Sequence, residues 1–274
     1  MKAVDVVVAT GGGAMVKAAY SSGKPSYGVG GRECASHNRW RCGPAVEKIV
    51  AGASFDNGMI CSHEQFVLTP EERYNETIER FLATGKVWFT ADKSEVQKFR
   101  DVMFPGGHLN KDVVGKSARQ IGTKAGIDIP ETIRVILLKA DGAGTKDVLA
   151  KEKLCPVVAI LPYRTFDEAV AQAKANLLVE GAGHSAALHS NNEEHIRLMG
   201  LALPISRLVV NQASALTAGG SLTNGFAPTT TLGCGSWGGN SISENLDYKH
   251  LMNVSRIGKL ITKGKVPTDA EIWA

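Results

Sequence analysis

The sequence predicts an α/β protein in which helices cover a mainly parallel β-sheet. Two observations lead to this fold class. Short apolar and β-branched runs recur along most of the 274 residues, and amphipathic helical segments separate them. Most of these runs are apolar throughout rather than alternating, which is typical of strands buried on both faces.

Seven strands are predicted, at residues 4–9, 65–68, 87–89, 133–138, 157–161, 185–189 and 208–211. The first clearly marked helix follows the second strand. Thr69 is its expected N-cap and Pro70 its first helical residue, because proline fits that position. Its predicted inward face consists of Tyr74, Ile78, Phe81 and Leu82.

Two further helices have recognisable starts. Thr165 with Glu168 three residues later predicts a capping box. A third helix is expected to begin at Asn191 or Asn192 and to run through Ile196 and Met199. The inward residues of the Thr165 helix are predicted to be Ala169, Val170, Ala173 and Leu177.

A glycine turn follows the first strand, at Thr10, Gly11 and Gly12. Such a turn brings backbone N–H groups of a helix N-terminus close to a phosphate, although a tight turn without a ligand is an equal alternative. Only one strand precedes the turn, whereas a mononucleotide-binding half contains a βαβαβ set. We therefore expect the first units of a dinucleotide domain to be absent from this sequence.

Composition argues against several classes of protein. The 31 basic and 27 acidic residues nearly balance and are scattered, which is unlike a nucleic-acid-binding surface. No apolar stretch approaches the roughly 20 residues that span a bilayer, and Asp5 interrupts the apolar start, so no membrane segment or signal peptide is predicted. A cytoplasmic location is expected.

The five cysteines contain no CxxC pair, which argues against a disulfide framework and a zinc site.

The segment from Ser54 to Cys61 resembles the nucleophile motif of aldehyde dehydrogenases, in which a phenylalanine and a glycine lead to the catalytic cysteine. Residues 8–12, 18–25, 183–185 and 231–245 narrow the resemblance to the CoA-acylating branch, which includes the aldehyde dehydrogenase part of bifunctional aldehyde-alcohol dehydrogenases. The resemblance covers nearly the whole chain, in the same order.

The resemblance implies a domain organisation and a set of ligands. Residues 1–45 would be the last part of a dinucleotide-binding domain, residues 46–240 the catalytic domain and residues 241–274 a C-terminal oligomerisation segment. The implied cofactor is NAD or NADP, the substrates are a small aldehyde and coenzyme A, and a homo-oligomer is expected. The asparagine that completes the oxyanion hole in related enzymes would lie upstream.

Cys61 is the predicted nucleophile, because sulfur both attacks a carbonyl and leaves a thioester readily. Without the motif, a small buried apolar role would be the better interpretation. The other glycine-wrapped thiol, Cys234, is predicted to line the substrate pocket together with Gly233, and Cys155 to be structural. A metal site at Cys34, His37 and Cys42 is disfavoured by their irregular spacing.

The remaining predicted site residues also rest on the resemblance. Thr10, Gly11, Gly12 and Gly30 would bind the dinucleotide. Glu152 occupies the place of a glutamate that holds the nicotinamide ribose, although Leu154 replaces the phenylalanine usual in that motif. His184 is predicted to move a proton during CoA transfer, with a hydrogen-bonded core histidine as the alternative.

Two interpretations are open for each of three further residues. His189 is predicted to be either a neighbour of the site or a surface residue. Arg197 and Arg207 are predicted on the surface, with contact to an anionic substrate tail as the alternative.

CoA is favoured over water as the acyl acceptor. Hydrolytic relatives carry a water-activating glutamate in a Glu-Leu-Gly-Gly segment, and Tyr27 stands at the first position of the corresponding segment here. The alternatives are a non-catalytic remnant of such an enzyme and, less favoured, a hydrolytic aldehyde dehydrogenase.

Residues 31–44 depart from the family pattern. They contain three arginines, two cysteines and a tryptophan but no apolar strand, and the resemblance resumes around Val46. We hypothesise a short out-of-frame stretch between two compensating insertions or deletions, which resequencing of these codons would test.

Overall fold

A computed structural model of the chain describes residues 1, 3–11, 13–29, 34–38 and 42–274. Strands and helices alternate along the described residues, and all pairings between strands are parallel. The predicted α/β class with parallel pairing is therefore confirmed. Two predicted dinucleotide-binding residues, Gly12 and Gly30, lie outside the described residues.

The strands form two sheets. Their bounds are β1 Val7–Thr10, β2 Ser26–Val29, β3 Cys34–Asn38, β4 Glu64–Pro70, β5 Val87–Thr90, β6 Val135–Lys139, β7 Val157–Tyr163, β8 Gly183–His189 and β9 Ile205–Val210. The larger sheet has seven strands in the order β5-β6-β7-β4-β3-β8-β9, and β1 pairs with β2 in a sheet of two.

Nine α-helices connect the described strands or follow them. They are α1 Gly13–Tyr20, α2 Cys42–Ser54, α3 Tyr74–Ala83, α4 Lys93–Met103, α5 Ala118–Lys124, α6 Phe166–Asn176, α7 Glu193–Ala202, α8 Ser214–Thr217 and α9 Asp269–Ile272. A π-helical turn, Leu177–Gly181, joins α6 to β8. Among the described residues, no helix combines the length and apolar character needed to cross a bilayer.

Hydrophobic clusters cover both faces of the large sheet. One cluster packs Phe66 and Leu68 of β4 against Phe99 of α4. The other packs Val67 of β4 against Ile49 of α2. Because successive residues of β4 enter opposite clusters, this central strand is apolar along its middle, as strands buried on both faces are.

Two strands lie where none was predicted. β2 contains serine, tyrosine and glycine rather than an apolar run, and its place in a two-stranded sheet requires less burial. β3 falls in the segment without an apolar run, yet its backbone pairs with β4 on one side and β8 on the other. The hypothesis of an out-of-frame stretch stays a prediction, as does the domain boundary near residue 45.

The predicted start of the first marked helix is wrong. Thr69 and Pro70 pair with Pro162 and Tyr163 as the last residues of β4, and the helix α3 begins only at Tyr74. The strand pairing outweighs the local capping signal. Leu82, predicted to face inward, is 46% exposed.

The other two helix starts are confirmed. The Thr165 hydroxyl accepts a hydrogen bond from the Glu168 N–H at the start of α6, although the Glu168 carboxylate accepts from Arg164 N–H rather than closing the capping box. Asn192 is the N-cap of α7, where its side-chain oxygen accepts from two backbone N–H groups. The buried residues of α6 include Ala169 and Ala173, as predicted.

Candidate active site

Cys61 lies in a tight turn between α2 and β4. The backbone takes left-handed conformations at Asp56, Asn57 and Gly58, with φ of 48°, 50° and 70°. A Cβ at Gly58 would lie 2.6 Å from the carbonyl carbon and oxygen of Cys155, so only glycine lets the turn approach that segment. The turn leaves the Cys61 thiol partly buried at the amino end of β4.

His184 is the side chain that meets this thiol. It is the second residue of β8 and is fully buried, and its Nε2 lies 3.2 Å from Cys61 Sγ. β4 and β8 flank β3 in the parallel sheet, so their amino ends lie at the same edge. The structure thus brings together the two residues predicted to be catalytic.

The electrostatic surroundings of Cys61 oppose a thiolate. Its pKa is raised to about 11, chiefly by burial and then by the charges of Glu152 and Cys234, whereas the Arg207 charge lowers it. Because the thiolate is the nucleophilic form, a group that accepts the thiol proton is needed at neutral pH. A histidine in hydrogen-bond contact with the sulfur is such a group.

Glu152 lies close enough to Cys61 for its charge to raise the pKa of the thiol. A carboxylate near the nucleophile fits the predicted contact with the ribose next to a nicotinamide, because carboxylate oxygens accept hydrogen bonds from paired hydroxyls. The backbone around it is fixed: Glu152 N–H donates to Glu180 at 3.0 Å, and the buried Lys153 ammonium donates to the carbonyls of Gln65 and Lys151.

The predicted pocket residues Gly233 and Cys234 lie beside the start of β8. Cys234 is buried, and a Cβ at Gly183 would lie 2.9 Å from the Cys234 Cβ. The Gly233 carbonyl accepts a hydrogen bond from Arg207 at 2.6 Å. Cys155 is fully buried, and burial raises its pKa to about 12, which fits the structural role predicted for it.

Of the other predicted dinucleotide residues, Thr10 and Gly11 are described. Thr10 ends β1 and shares a hydrogen bond of 3.1 Å with the hydroxyl of Thr231. Gly11 N–H donates to the Val29 carbonyl of β2. The glycine turn is therefore tied to the segment that carries Gly233, and the dinucleotide contacts themselves stay predictions.

Known proteins resemble this chain in sequence and in structure, although no family model matches it. The succinate-semialdehyde dehydrogenase (acetylating) of Clostridium kluyveri is 54% identical over 275 aligned positions, which cover 100% of this chain and 60% of the relative. The sulfoacetaldehyde dehydrogenase of an Acholeplasma species is 37% identical, with 100% and 57% covered.

Solved structures give the same result. The acetylating aldehyde dehydrogenase of Geobacillus thermoglucosidasius superposes with a TM-score of 0.90 at 32% identity, covering 98% of this chain and 59% of that one. The propionaldehyde dehydrogenase of Rhodopseudomonas palustris, solved with bound CoA and an acylated cysteine, has a TM-score of 0.75 at 25% identity, with 88% and 54% covered.

Along its whole length, the chain is therefore similar to acylating aldehyde dehydrogenases. The family predicted from the motif around Cys61 is thereby confirmed. The chain spans about three fifths of the length of the first of these curated relatives.

Three residues next to the candidate site were not predicted to belong to it. Arg207 is 3% exposed rather than on the surface, and Ser185 and Asn245 contact it from β8 and from the C-terminal segment. Arg207 lies between Ile205 and Val209 on the buried face of β9. The residue pattern does not reveal this burial, because the opposite face of the strand also carries two apolar residues, Leu208 and Val210.

His189 is 2% exposed, so the surface alternative is wrong for it. Burial and then the charge of Lys48 lower its pKa to about 4. The disfavoured metal site at Cys34, His37 and Cys42 is not tested, because these side chains lie outside the described part of the structure. Within the part that is described, no three His, Cys, Asp or Glu side chains gather as a metal site would require.

Proposed function

We propose that the protein is an oxidoreductase that converts an aldehyde, CoA and NAD(P)⁺ to acyl-CoA and NAD(P)H through a thioester on Cys61. The observation that carries the proposal is the 3.2 Å contact between Cys61 Sγ and Nε2 of the buried His184. This contact gives the thiol a neighbouring proton acceptor. The proteins similar to this chain include an acetylating enzyme and a solved structure with an acylated cysteine.

In the first half-reaction, Cys61 adds to the aldehyde carbon. His184 Nε2 takes the thiol proton, a C–S bond forms, and the carbonyl oxygen gains the negative charge of a thiohemiacetal. Loss of hydride from the same carbon turns the thiohemiacetal into a thioester on Cys61. Burial of His184 strengthens the interaction between its imidazole and the sulfur.

In the second half-reaction, the CoA thiol displaces Cys61 from the acyl carbon. The CoA thiol must lose its proton as it attacks, and His184 lies next to the sulfur that leaves. Once the imidazole has released the proton it took from Cys61 in the first half-reaction, it can take the CoA thiol proton and pass it to the departing Cys61 sulfur. Over the whole cycle, one proton is released for each NAD(P)H formed.

A dinucleotide fits beside these residues. The Glu152 carboxylate would hold the ribose hydroxyls near Cys61, and the turn at Thr10 and Gly11 would face the phosphates. When bound, the dinucleotide accepts the hydride.

CoA rather than water is the proposed acyl acceptor. At the position where hydrolytic relatives carry the water-activating glutamate, the Tyr27 ring packs edge-on against the His250 ring with centroids 5.6 Å apart. A phenol in this contact offers no carboxylate base to water. Free acid formed without CoA as fast as acyl-CoA forms with it would contradict this part of the proposal.

The acyl-transfer half of the reaction can be tested on this chain without a dinucleotide. Incubation with an acyl-CoA should place one acyl group on the Cys61 peptide and release free CoA, measured by peptide mass spectrometry and thiol titration. Cys61→Ala should abolish the transfer, whereas Cys155→Ala, at a fully buried thiol whose sulfur lies 4.0 Å from that of Met103, should retain it. Acyl transfer that persists in Cys61→Ala would overturn the proposal.

The complete reaction is tested by NAD(P)H formation with a panel of aldehydes, with and without CoA. The panel includes succinate semialdehyde and sulfoacetaldehyde, after the names of two relatives, and the uncharged acetaldehyde and propionaldehyde. NAD(P)H that forms only when both CoA and an aldehyde are present would support the proposal, and NAD(P)H formation at the same rate without CoA would contradict it.

We also propose a homo-oligomer that forms through residues 241–274. Apolar side chains in this segment are strongly exposed, with Ile257 and Leu260 at 89% and Val266 at 86%. Such a patch is typical of an interaction surface. Light scattering should give a mass above that of one chain, and Leu260→Lys should lower it. The cytoplasmic location stays a prediction.

A further inference from the structure

A buried hydrogen-bond network contacts the His184 imidazole on its Nδ1 side. Its Nδ1 shares a hydrogen bond of 3.0 Å with the Ser185 hydroxyl, on the opposite side of the ring from Cys61. Arg207 Nε donates to the same hydroxyl oxygen at 3.3 Å. His184 and Ser185 are fully buried and Arg207 is 3% exposed, so water does not compete for these contacts.

Arg207 is itself fixed on several sides. Its Nη1 donates to the Asn245 side-chain oxygen at 3.1 Å, and its Nη2 donates to the Gly233 carbonyl at 2.6 Å and to the His184 carbonyl at 3.5 Å. A guanidinium is planar and carries its donors in a rigid fork, so these acceptors define one orientation. The register of β8 and β9 pairs Ser185 directly with Arg207, which places Nε at the hydroxyl.

The chemistry of the guanidinium makes this chain of contacts directional. Arginine only donates hydrogen bonds, so the Ser185 oxygen must accept from it. The hydroxyl is thereby held at a fixed place on its strand, and it holds Nδ1 of the imidazole. Since the ring is rigid, fixing Nδ1 fixes the direction in which Nε2 points.

We infer that Ser185 and Arg207 are positioning residues that aim His184 Nε2 at Cys61 Sγ. The inference rests on the proposed function, in which Cys61 is the nucleophile. Neither residue touches the sulfur: Ser185 acts on the imidazole, and Arg207 acts on Ser185 and on the His184 carbonyl. The Arg207 charge also lowers the pKa of the Cys61 thiol, which favours the thiolate in the same pair.

A purely structural role would leave the ionisation of Cys61 unchanged, whereas a positioning role changes it. The readout is the rate at which iodoacetamide alkylates the Cys61 peptide of the intact chain as a function of pH, followed by mass spectrometry. Ser185→Ala frees Nδ1, so we expect the midpoint of the profile to rise by about one pH unit and alkylation at neutral pH to slow about tenfold.

Two variants control for the loss of a hydroxyl. Ser185→Thr keeps the hydroxyl and should follow the wild-type profile. Ser206→Ala removes a neighbouring hydroxyl on β9 that has no hydrogen-bond partner among the described residues, and should also follow it. A Ser185→Ala profile that coincides with the wild type, in protein that melts cooperatively by circular dichroism, would overturn the inference.

Arg207→Lys tests the second positioning residue. Lysine keeps the positive charge but not the planar fork, so Ser185 loses its anchor and we expect a shift in the same direction as in Ser185→Ala. A wild-type alkylation profile in folded Arg207→Lys would exclude Arg207 from the role. Acyl transfer that survives in Cys61→Ala would instead overturn the proposed function and leave the alkylation result standing.

Discussion

Gly183 shows how closely the backbone packs beside the candidate site. It starts β8 with φ of +87°, a conformation that side chains with a Cβ rarely adopt. A Cβ at this position would lie 1.9 Å from the Cys234 carbonyl oxygen, well inside van der Waals contact. Any side chain at position 183 must therefore shift either its own backbone, next to His184, or the segment around Cys234.

Gly183→Ala should therefore destabilise the protein and misplace His184. We expect a loss of about 2 kcal/mol or more in the free energy of unfolding, because positive φ and a backbone clash act together. Urea unfolding measures the loss, and Cys61 alkylation measures the displacement of the imidazole.

Gly200→Ala is the matched control. Gly200 lies in α7, where a new Cβ would meet only Leu208, at 3.9 Å, so the substitution should be neutral or stabilising by up to about 1 kcal/mol. Equal stability losses in the two variants would show that the contact with Cys234 does not matter.

At this scale, the sequence could name the reacting residues only through the family resemblance. Cys61 and His184 are 123 residues apart, and nothing in their local patterns predicts that they meet. Their contact results from the order of β4, β3 and β8 in the sheet, which depends on long-range pairing. The burial of Arg207 was missed for a similar reason, because apolar residues stand on both faces of β9 and only the packed sheet shows which face is buried.

The junction of β4, α2 and α8 contains a buried acid, Glu64. Its Oε1 accepts a hydrogen bond from Ser214 N–H at the start of α8, and a Cβ at Gly52 of α2 would lie 1.9 Å from its Oε2. Burial raises the pKa of Glu64 to about 8, although hydrogen bonds from the backbone lower it in part. At neutral pH the folded protein therefore holds Glu64 mainly as the neutral acid.

Glu64→Gln should flatten the decline of stability with rising pH between about pH 6.5 and 8, above the range in which His63 and His189 reverse the trend. The folded state keeps a proton that the unfolded chain releases above about pH 4.5, so unfolding becomes easier as pH rises from about 4.5 to about 8. Glutamine resembles the neutral acid and has no proton to lose.

Urea unfolding from about pH 6.5 to 8 should show a slope that is less negative by up to roughly 1.4 kcal/mol per pH unit in Glu64→Gln. Glu47→Gln, at an exposed position of α2, should keep the wild-type slope. Parallel curves for wild type and Glu64→Gln would show that Glu64 ionises normally.

A second junction fixes α4 to the loop after β6. Arg100 donates two hydrogen bonds to Asp147, at 3.0 and 2.6 Å, and the Asp147 side chain is 1% exposed. Burial alone would raise the pKa of Asp147, but the bonds from Arg100 and from the N–H groups of Leu149 and Asp141 lower it overall. Asp147 therefore stays charged and neutralises a mostly buried arginine.

Asp147→Asn should cost about 3 kcal/mol of unfolding free energy, because it leaves the Arg100 charge without its buried partner. Asp141→Asn removes a carboxylate bound to the same arginine but 59% exposed, so we expect less than about 1 kcal/mol. Chemical denaturation at neutral pH measures both. A loss in Asp141→Asn as large as that in Asp147→Asn would contradict the burial argument.

Elements were predictable from sequence where burial alone determined them. Strands β4 to β9 correspond to apolar runs and were found. The start of α3 was missed because capping signals at Thr69 and Pro70 compete with pairing to β7, and only the folded sheet decides between them. β3 was missed because strand pairing on both sides places it in the sheet without help from an apolar run.

At the scale of the whole molecule, buried ionisable groups set the response to acid. Burial lowers the pKa of His63 and of His189 to about 4. The unfolded chain protonates both near pH 6.5, so acidification from about 6.5 to 4 favours unfolding. Above about pH 4.5, acidification stabilises the fold through Glu64, and this effect offsets the destabilising effect of one of the two histidines.

His189→Gln should therefore make stability almost independent of pH between 5 and 6, as far as these groups determine it. In this window the wild-type free energy of unfolding should fall by roughly 1.4 kcal/mol for each pH unit of acidification. This is the net effect of two histidines, which destabilise the fold as the pH falls, and one acid, which stabilises it. Removing His189 leaves His63 and Glu64, whose effects oppose each other. His108→Gln changes an exposed histidine and should keep the wild-type slope. Urea unfolding at intervals of half a pH unit distinguishes the curves. A His189→Gln slope equal to that of the wild type would mean that His189 is protonated in the folded protein as readily as in the unfolded chain.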